Sequence, residues 1–232
     1  MLIKFIKDII TPKKCYNCGQ IGYFLCPQCL EKTKKHKSYC YLCKKESLNF
    51  KIHPTCHDDD FFLDNIIVLN HYSDKTIKKL IKNSKYYNKK DIIDDFSIYL
   101  GDLLLKNIEI EKTEDYLIIP RPMFFLKKIF RGYNQSEILA KNISKYTKIN
   151  YENNLIKKIK YTKSQSKLHK SERLKNLEKS FSINKKVLEK INGKTIIIVD
   201  DVVSTGTTLN EIGKILKNNG IKKVIGLVIA SD

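Results

Sequence analysis

The chain has 232 residues, 42% of them hydrophobic, with 44 lysines and arginines against 25 acids and a formal net charge of +19. That is enough apolar material for a packed α/β domain with a small appendage, and no apolar run approaches the ~20 residues of a membrane span. Such a charge attracts polyanions, whether nucleic acid, anionic lipid or phosphorylated ligands, although lysine is spread so evenly that much of it reads as solvated surface. The N-terminal stretch Met1–Ile10 is interrupted by Lys4, Lys7 and Asp8 and lacks a small-residue cleavage site. It is expected to form a short amphipathic helix on its own protein rather than a signal peptide.

All seven cysteines follow at once, as Cys15-x2-Cys18, Cys26-x2-Cys29, Cys40-x2-Cys43 and Cys56. A C-x2-C turn presents two thiolates to one tetrahedral ion, and two turns close a structural Zn²⁺ site. Cys15, Cys18, Cys26 and Cys29 make the most economical first site, although Cys15/Cys18 with Cys40/Cys43 also fits. Cys40, Cys43 and Cys56 need a fourth ligand, and His53, His57 and Asp59 are within reach along the chain. Sites with four protein ligands have no open position for catalysis, so both are expected to be structural.

After Asp58-Asp59-Asp60 the composition changes, which suggests a head over 1–60 and a larger domain over 61–232. Asn65–Tyr72 reads as a buried strand. Asp74 can cap a helix over Lys75–Asn83, and Asp91–Asn107 reads as a longer helix. Tyr116–Ile119 is a short strand ending at Pro120-Arg121-Pro122. A helix is expected over Ser136–Tyr146 and a turn at Leu174–Leu177. Thr195–Val199 has the β-branched run of a central parallel strand. Thr207–Asn218 is an amphipathic helix with a C-cap at Asn219-Gly220, and Val224–Ile229 is the next strand. Strands alternating with helices imply an α/β fold with a parallel sheet.

The most informative segment is TIIIVDDVVSTGTTL, Thr195–Leu209. A strand delivers two adjacent acids, then a small-residue loop, then a helix. Ligands of open α/β sheets bind at the carboxyl ends of strands. The loop Ser204-Thr205-Gly206-Thr207-Thr208 can aim backbone N–H groups at one phosphate, with the positive end of the helix dipole behind it. Asp200 and Asp201 can then accept from vicinal ribose hydroxyls. There is no G-K-[ST], so this is not a Walker A loop. Arginine occurs only at Arg121, Arg131 and Arg173. In so lysine-rich a chain, these three suggest a need for the planar guanidinium fork.

The Asp200–Thr208 segment resembles the phosphoribosyl pyrophosphate (PRPP) signature of type I phosphoribosyltransferases. That resemblance implies that Asp200 and Asp201 hold the ribose hydroxyls and Ser204, Thr205, Gly206, Thr207 and Thr208 the 5′-phosphate. It also implies Mg²⁺ carried with PRPP, and Arg121 facing its phosphates, with Asp200, Asp201 and Arg121 as the catalytic group if the chain is an enzyme. Ser204 stands where purine-salvage members carry an acid, which disfavours purine salvage.

The cysteine head, the Pro120-Arg121 loop, Arg131-Gly132-Tyr133-Asn134-Gln135-Ser136-Glu137, Thr162-Lys163-Ser164-Gln165 and Ser171-Glu172-Arg173-Leu174-Lys175-Asn176 together resemble the ComF family of competence proteins. The likeness runs through nearly the whole chain. Asp59 stands where that family has its last head cysteine. The resemblance implies a cytoplasmic protein of natural transformation that handles single-stranded DNA beside a competence helicase or recombination proteins. Arg131 and Arg173 are candidates for pyrophosphate or DNA phosphate. Tyr133, Asn134 and Gln135 either contact bases or brace a mobile hood. Two other readings stay open: a metabolic phosphoribosyltransferase acting on a base or amine, and an interaction module with a vestigial PRPP site.

Overall fold

The computed structural model describes residues 12–56, 60–86, 90–161, 180–191 and 193–232. The expected N-terminal helix, His57, Asp59, the 162–176 motif with Arg173, and the turn at 174–177 lie outside the described residues.

Five parallel strands form the main sheet: β1 (Asn65–His71), β2 (Tyr116–Pro120), β3 (Asn150–Tyr151), β6 (Thr195–Val203) and β7 (Val224–Ser231), in the spatial order β1-β7-β6-β2-β3. β1 and β7 are buried almost end to end, and β6 over most of its length. Helices on a parallel sheet cover both faces, so its strands read as apolar runs without alternation. A two-stranded antiparallel pair, β4 (Ile156–Lys158) with β5 (Phe181–Ile183), stands apart.

Seven helices accompany the strands among the described residues: α1 (Pro27–Glu31), α2 (Lys75–Tyr86), α3 (Ile92–Asn107), α4 (Phe125–Arg131), α5 (Gln135–Thr147), α6 (Lys185–Leu188) and α7 (Thr207–Asn218). Asp74 caps α2, its Oδ1 accepting from the N–H groups of Thr76 and Ile77 at 2.9 and 3.1 Å. α3 packs on α5, and both meet the sheet.

Three features go beyond the sequence reading. α2 runs past Asn83 to Tyr86 and so carries Lys85. β6 runs on through Val203. α1, α4, α6, β3 and the β4–β5 pair were not expected, because their segments are too short to show a clear period.

The cysteine head covers the outer edge of β1. Isolated antiparallel bridges join Lys35 to Asn70 and Lys51 to Asn65, which protects an edge that would otherwise offer unpaired backbone groups. On its other side the head is tied to α3. The N–H groups of Phe24 and Leu25 donate to Asp95 at 2.6 and 3.1 Å, and the Tyr99 hydroxyl donates to the Leu25 carbonyl at 2.5 Å.

Candidate functional site

Toward its carboxyl end β6 carries Asp200 and Asp201, each only 4% exposed. Buried carboxylates are costly unless paired, and both are paired. Asp200 Oδ2 lies 2.5 Å from Arg121 Nε. Its Oδ1 accepts from the Ser136 hydroxyl at 2.9 Å and from the Asp201 N–H at 2.8 Å. Asp201 Oδ2 lies 2.8 Å from Lys85 Nζ, and its Oδ1 accepts from the Val202 N–H at 2.7 Å. Burial works against ionisation of Asp201, but the Lys85 and Arg121 charges outweigh it and hold the carboxyl below its usual range.

The cations exceed the acids. Burial, then the charges of Arg121 and Lys127, pull the Lys158 ammonium down to about 8, with Asp200 opposing. Lys127 is lowered by burial and by Arg121, Arg131 and Lys85. Lys85 and Arg121 pair with the two carboxylates and Lys158 feels Asp200, while Lys127 and Arg131 add further positive charge around Arg121, so an incoming polyanion meets a net positive field.

The loop after β6 leaves Ser204 and Thr205 exposed and Thr207 and Thr208 half-buried. Gly206 opens α7 with φ at +73°, a left-handed conformation that favours glycine. The Thr205 and Thr207 hydroxyls lie 2.7 Å apart, at the N-terminal end of α7.

Tyr133, Asn134 and Gln135 are inside the protein, at 6%, 4% and 3% exposure. The Tyr133 hydroxyl and Gln135 Nε2 both donate to the Ser84 carbonyl, next to Lys85. Asn134 Nδ2 donates to the Arg121 carbonyl at 3.0 Å, while Asn134 Oδ1 caps α5 by accepting from the Ser136 N–H at 3.2 Å. Arg131 Nη1 donates to Gln135 Oε1 at 2.8 Å. Tyr133, Asn134 and Gln135 bond to the backbones that carry Lys85 and Arg121, and Gln135 also to the Arg131 side chain.

Lys85 and Lys158 were not singled out in the sequence, and Ser136 stood there only as part of the Arg131–Glu137 motif, with no role of its own. One lysine among so many carries no local signal, and Ser136 gains meaning only when α5 comes beside β6. The pairing of Arg121 with Asp200 likewise depends on β2 and β6 being neighbours, where the Arg121 N–H donates to the Val199 carbonyl at 2.8 Å.

The head holds two groups that could bind metal ions. Cys15, Cys18, Cys26 and Cys29 form one, and Cys40, Cys43, His53 and Cys56 the other, each with its ligand atoms within 4.8 Å of one another. This excludes the crossed pairing of cysteines. Among the described residues it makes His53 the fourth ligand of the second group. His53 Nδ1 lies 3.3 Å from Cys43 Sγ, and Nε2 lies 3.0 Å from the Glu46 carbonyl. A proton on Nε2 shared with that carbonyl leaves the Nδ1 lone pair for an ion, the arrangement usual for ligating histidines. Four thiolates, and three thiolates with one imidazole, are the donor sets of structural zinc sites.

The two knuckles repeat one backbone pattern. Cys15 N–H donates to the Gln20 carbonyl and Gly19 N–H to the Cys15 carbonyl. Cys40 N–H and Lys44 N–H make the equivalent bonds to Lys45 and Cys40, all at 2.8–2.9 Å. Gly19 and Lys44 hold the matching left-handed position, at φ +77° and +62°.

Residues 131–232 match the family model of the phosphoribosyl transferase domain. Competence protein F of Haemophilus influenzae is 30% identical over 203 residues, which cover 86% of this chain and 87% of that protein. The DNA utilization protein YhgH of Escherichia coli K12 is 24% identical, with 93% and 96% covered. An adenine phosphoribosyltransferase of Prochlorococcus marinus is 42% identical over 55 residues, covering 24% of this chain and 31% of that one. On the likeness to competence protein F along most of both chains, joined to a phosphoribosyltransferase-type α/β domain, this chain belongs to the ComF family.

Proposed function

We propose that this chain is a DNA-uptake factor of the cytoplasm that binds PRPP with Mg²⁺ at the β6–α7 loop and single-stranded DNA nearby. The observation that carries the reading is the ion cluster toward the carboxyl end of β6. Asp200 is held by Arg121 and Asp201 by Lys85, beside a small-residue loop that leads into α7. Asp200 and Asp201 would accept from the ribose 2′- and 3′-hydroxyls, and Ser204–Thr208 would bind the 5′-phosphate. Arg121, Arg131, Lys127 and Lys158 would receive the pyrophosphate. Mg²⁺, when bound with PRPP, would neutralise part of the pyrophosphate charge. Zn²⁺ is the ion that suits both head groups.

The DNA part draws on the names of the two long relatives, a competence protein and a DNA utilization protein. It also draws on a surface beside the site. α4 exposes Phe125, Ile129 and Phe130 at 60%, 67% and 89%, with Lys128 between them. Exposed rings interleaved with cations suit stacked bases and their phosphates.

Calorimetric titration of Mg-PRPP tests the first part. Saturable binding to the wild type, lost in Asp200→Asn/Asp201→Asn, is expected, and a zinc-loaded wild type that gives no heat would sink it. Anisotropy of a labelled oligonucleotide tests the second part. Binding should weaken steeply with salt, and absence of binding at low salt would remove it.

A second reading, phosphoribosyl transfer to a small acceptor, is favoured by one feature. A cleft of about 250 Å³ lies beside the Pro120–Met123 loop, lined by Phe125, Glu137, Asn153, Asn154 and Lys158 among others. Release of pyrophosphate on adding nucleobases or amines would support that reading over simple ligand binding.

A further inference from the structure

Each knuckle of the head carries a tyrosine directly after its first cysteine; Tyr16 ends on α2 and Tyr41 on the β6–α7 loop. Tyr16 accepts from Asn83 Nδ2 at 2.7 Å, and its neighbour Asn17 accepts from the Thr76 hydroxyl at 2.7 Å. Both contacts are to α2, the helix that brings Lys85 to Asp201. Tyr41, between Cys40 and Cys43, is 6% exposed and donates its hydroxyl to the Ser204 carbonyl at 2.8 Å. Its ring also closes over Gly206, where an added Cβ would lie 3.1 Å from Tyr41 Cε1. The Lys44 ammonium lies over the same ring, 4.0 Å from its centroid.

The Ser204 contact controls direction as well as position. The Ser204 carbonyl and the Thr205 N–H share one planar peptide and point opposite ways. Holding the carbonyl on Tyr41 turns the Thr205 N–H away from the head, into the loop. The knuckle backbone that carries Tyr41 is in turn set by Cys40 and Cys43, two of the four ligands of the second group.

We infer that Tyr41 is a positioning residue of the phosphate loop, and that an ion held by Cys40, Cys43, His53 and Cys56 and a phosphorylated ribose in the loop strengthen each other's binding. This rests on the phosphate-site reading above. Coupling of this kind is reciprocal, so each ligand raises affinity for the other by the same factor.

The test uses the full zinc-loaded chain, with ribose 5-phosphate and Mg-PRPP as titrants. Tyr41→Phe keeps the ring and removes the hydroxyl. It should keep both ions by elemental analysis and bind each titrant about three- to tenfold more weakly, the worth of one hydrogen bond. His53→Ala should lose one ion and weaken binding at least as much. In the reverse direction, ribose 5-phosphate should slow transfer of one of the two ions to a chromogenic chelator in the wild type, and not in Tyr41→Phe. That measurement stands even if His53→Ala does not fold. If the wild type binds both titrants and Tyr41→Phe binds them equally well, with chelator kinetics indifferent to ribose 5-phosphate, the coupling is wrong and the phosphate site stands. If the wild type binds neither, the site reading fails and the coupling with it.

Discussion

Arg121 Nε lies 2.5 Å from Asp200 Oδ2, so the acid expected to take a ribose hydroxyl and the cation expected to take pyrophosphate hold each other in the free protein. Burial disfavours the guanidinium charge, but Asp200 outweighs it and holds Arg121 above its usual value. The pair preserves the site's geometry before any ligand arrives.

Replacing Arg121 by lysine should expose the value of the fork. Arg121→Lys keeps the charge but cannot reach Asp200 and a phosphate in the same planar way. Mg-PRPP affinity is expected to fall about tenfold or more, with the far-ultraviolet circular dichroism unchanged. Calorimetry reads the affinity, and equal affinities would remove Arg121 from the pyrophosphate site.

Lys158 predicts a proton linkage. At about 8 its ammonium is partly neutral near pH 8. Bound phosphates would raise it, so PRPP binding should take up protons there, and affinity should fall as pH rises through 8. Titrations at pH 8 in buffers of different ionisation enthalpy measure the uptake. Lys158→Met should abolish most of it, and an unchanged uptake would place Lys158 away from the ligand.

His36 predicts an acid sensitivity in the head. Its ring stacks on His71 at 3.5 Å, and Nε2 lies 2.9 Å from the Ser231 hydroxyl. Burial, then His71, pull it down to about 4. The unfolded chain takes up this proton near 6.5 and the folded chain near 4, so stability falls as pH drops between them and levels off below. Melting temperatures of wild type and His36→Gln should diverge through that window, by a few degrees in favour of the variant at its acid end. Parallel curves would contradict the assignment.

Gly101 predicts a packing limit. An added Cβ would lie 2.5 Å from Tyr146 Cδ1, where α3 meets α5. Gly101→Ala should cost about 1–3 kcal/mol by driving Tyr146 off its 2.6 Å bond to Asp102. Urea midpoints measure this, and Gly101→Ala/Tyr146→Ala should recover part of the loss. Full stability in the single variant would mean that Tyr146 swings aside freely.

The site's acids were legible in the sequence because strand, acid pair, small-residue loop and helix are contiguous, so local chemistry states their geometry. The two cysteine pairs of the first metal group were legible for the same reason. Lys85 and Ser136 were not, since their meaning comes from α2 and α5 packing beside β6. His53 was one of three candidates along the chain; the fold of the Cys40–Cys56 loop brings its ring to the three thiols, while His57 and Asp59 lie outside the described residues. Tyr41 reads locally as a knuckle residue, yet its hydroxyl meets a carbonyl 163 positions later. The elements followed the same division. Strand cores and the α7 helix matched their patterns, whereas α4 and the β4–β5 pair depend on tertiary support.

Among the described residues the strand latest in sequence, β7, lies between the earliest, β1, and the central strand β6. During synthesis β1 has no sheet partner until everything between His71 and Val224 has emerged, on the order of ten seconds at ribosomal speed. The Tyr39 and His36 contacts to Ser231 wait equally long. The nascent chain therefore carries a cysteine head with its metal ligands complete beside a bare apolar strand. An ion taken up in that interval would fold the head first, giving β1 a covered edge before its partner exists.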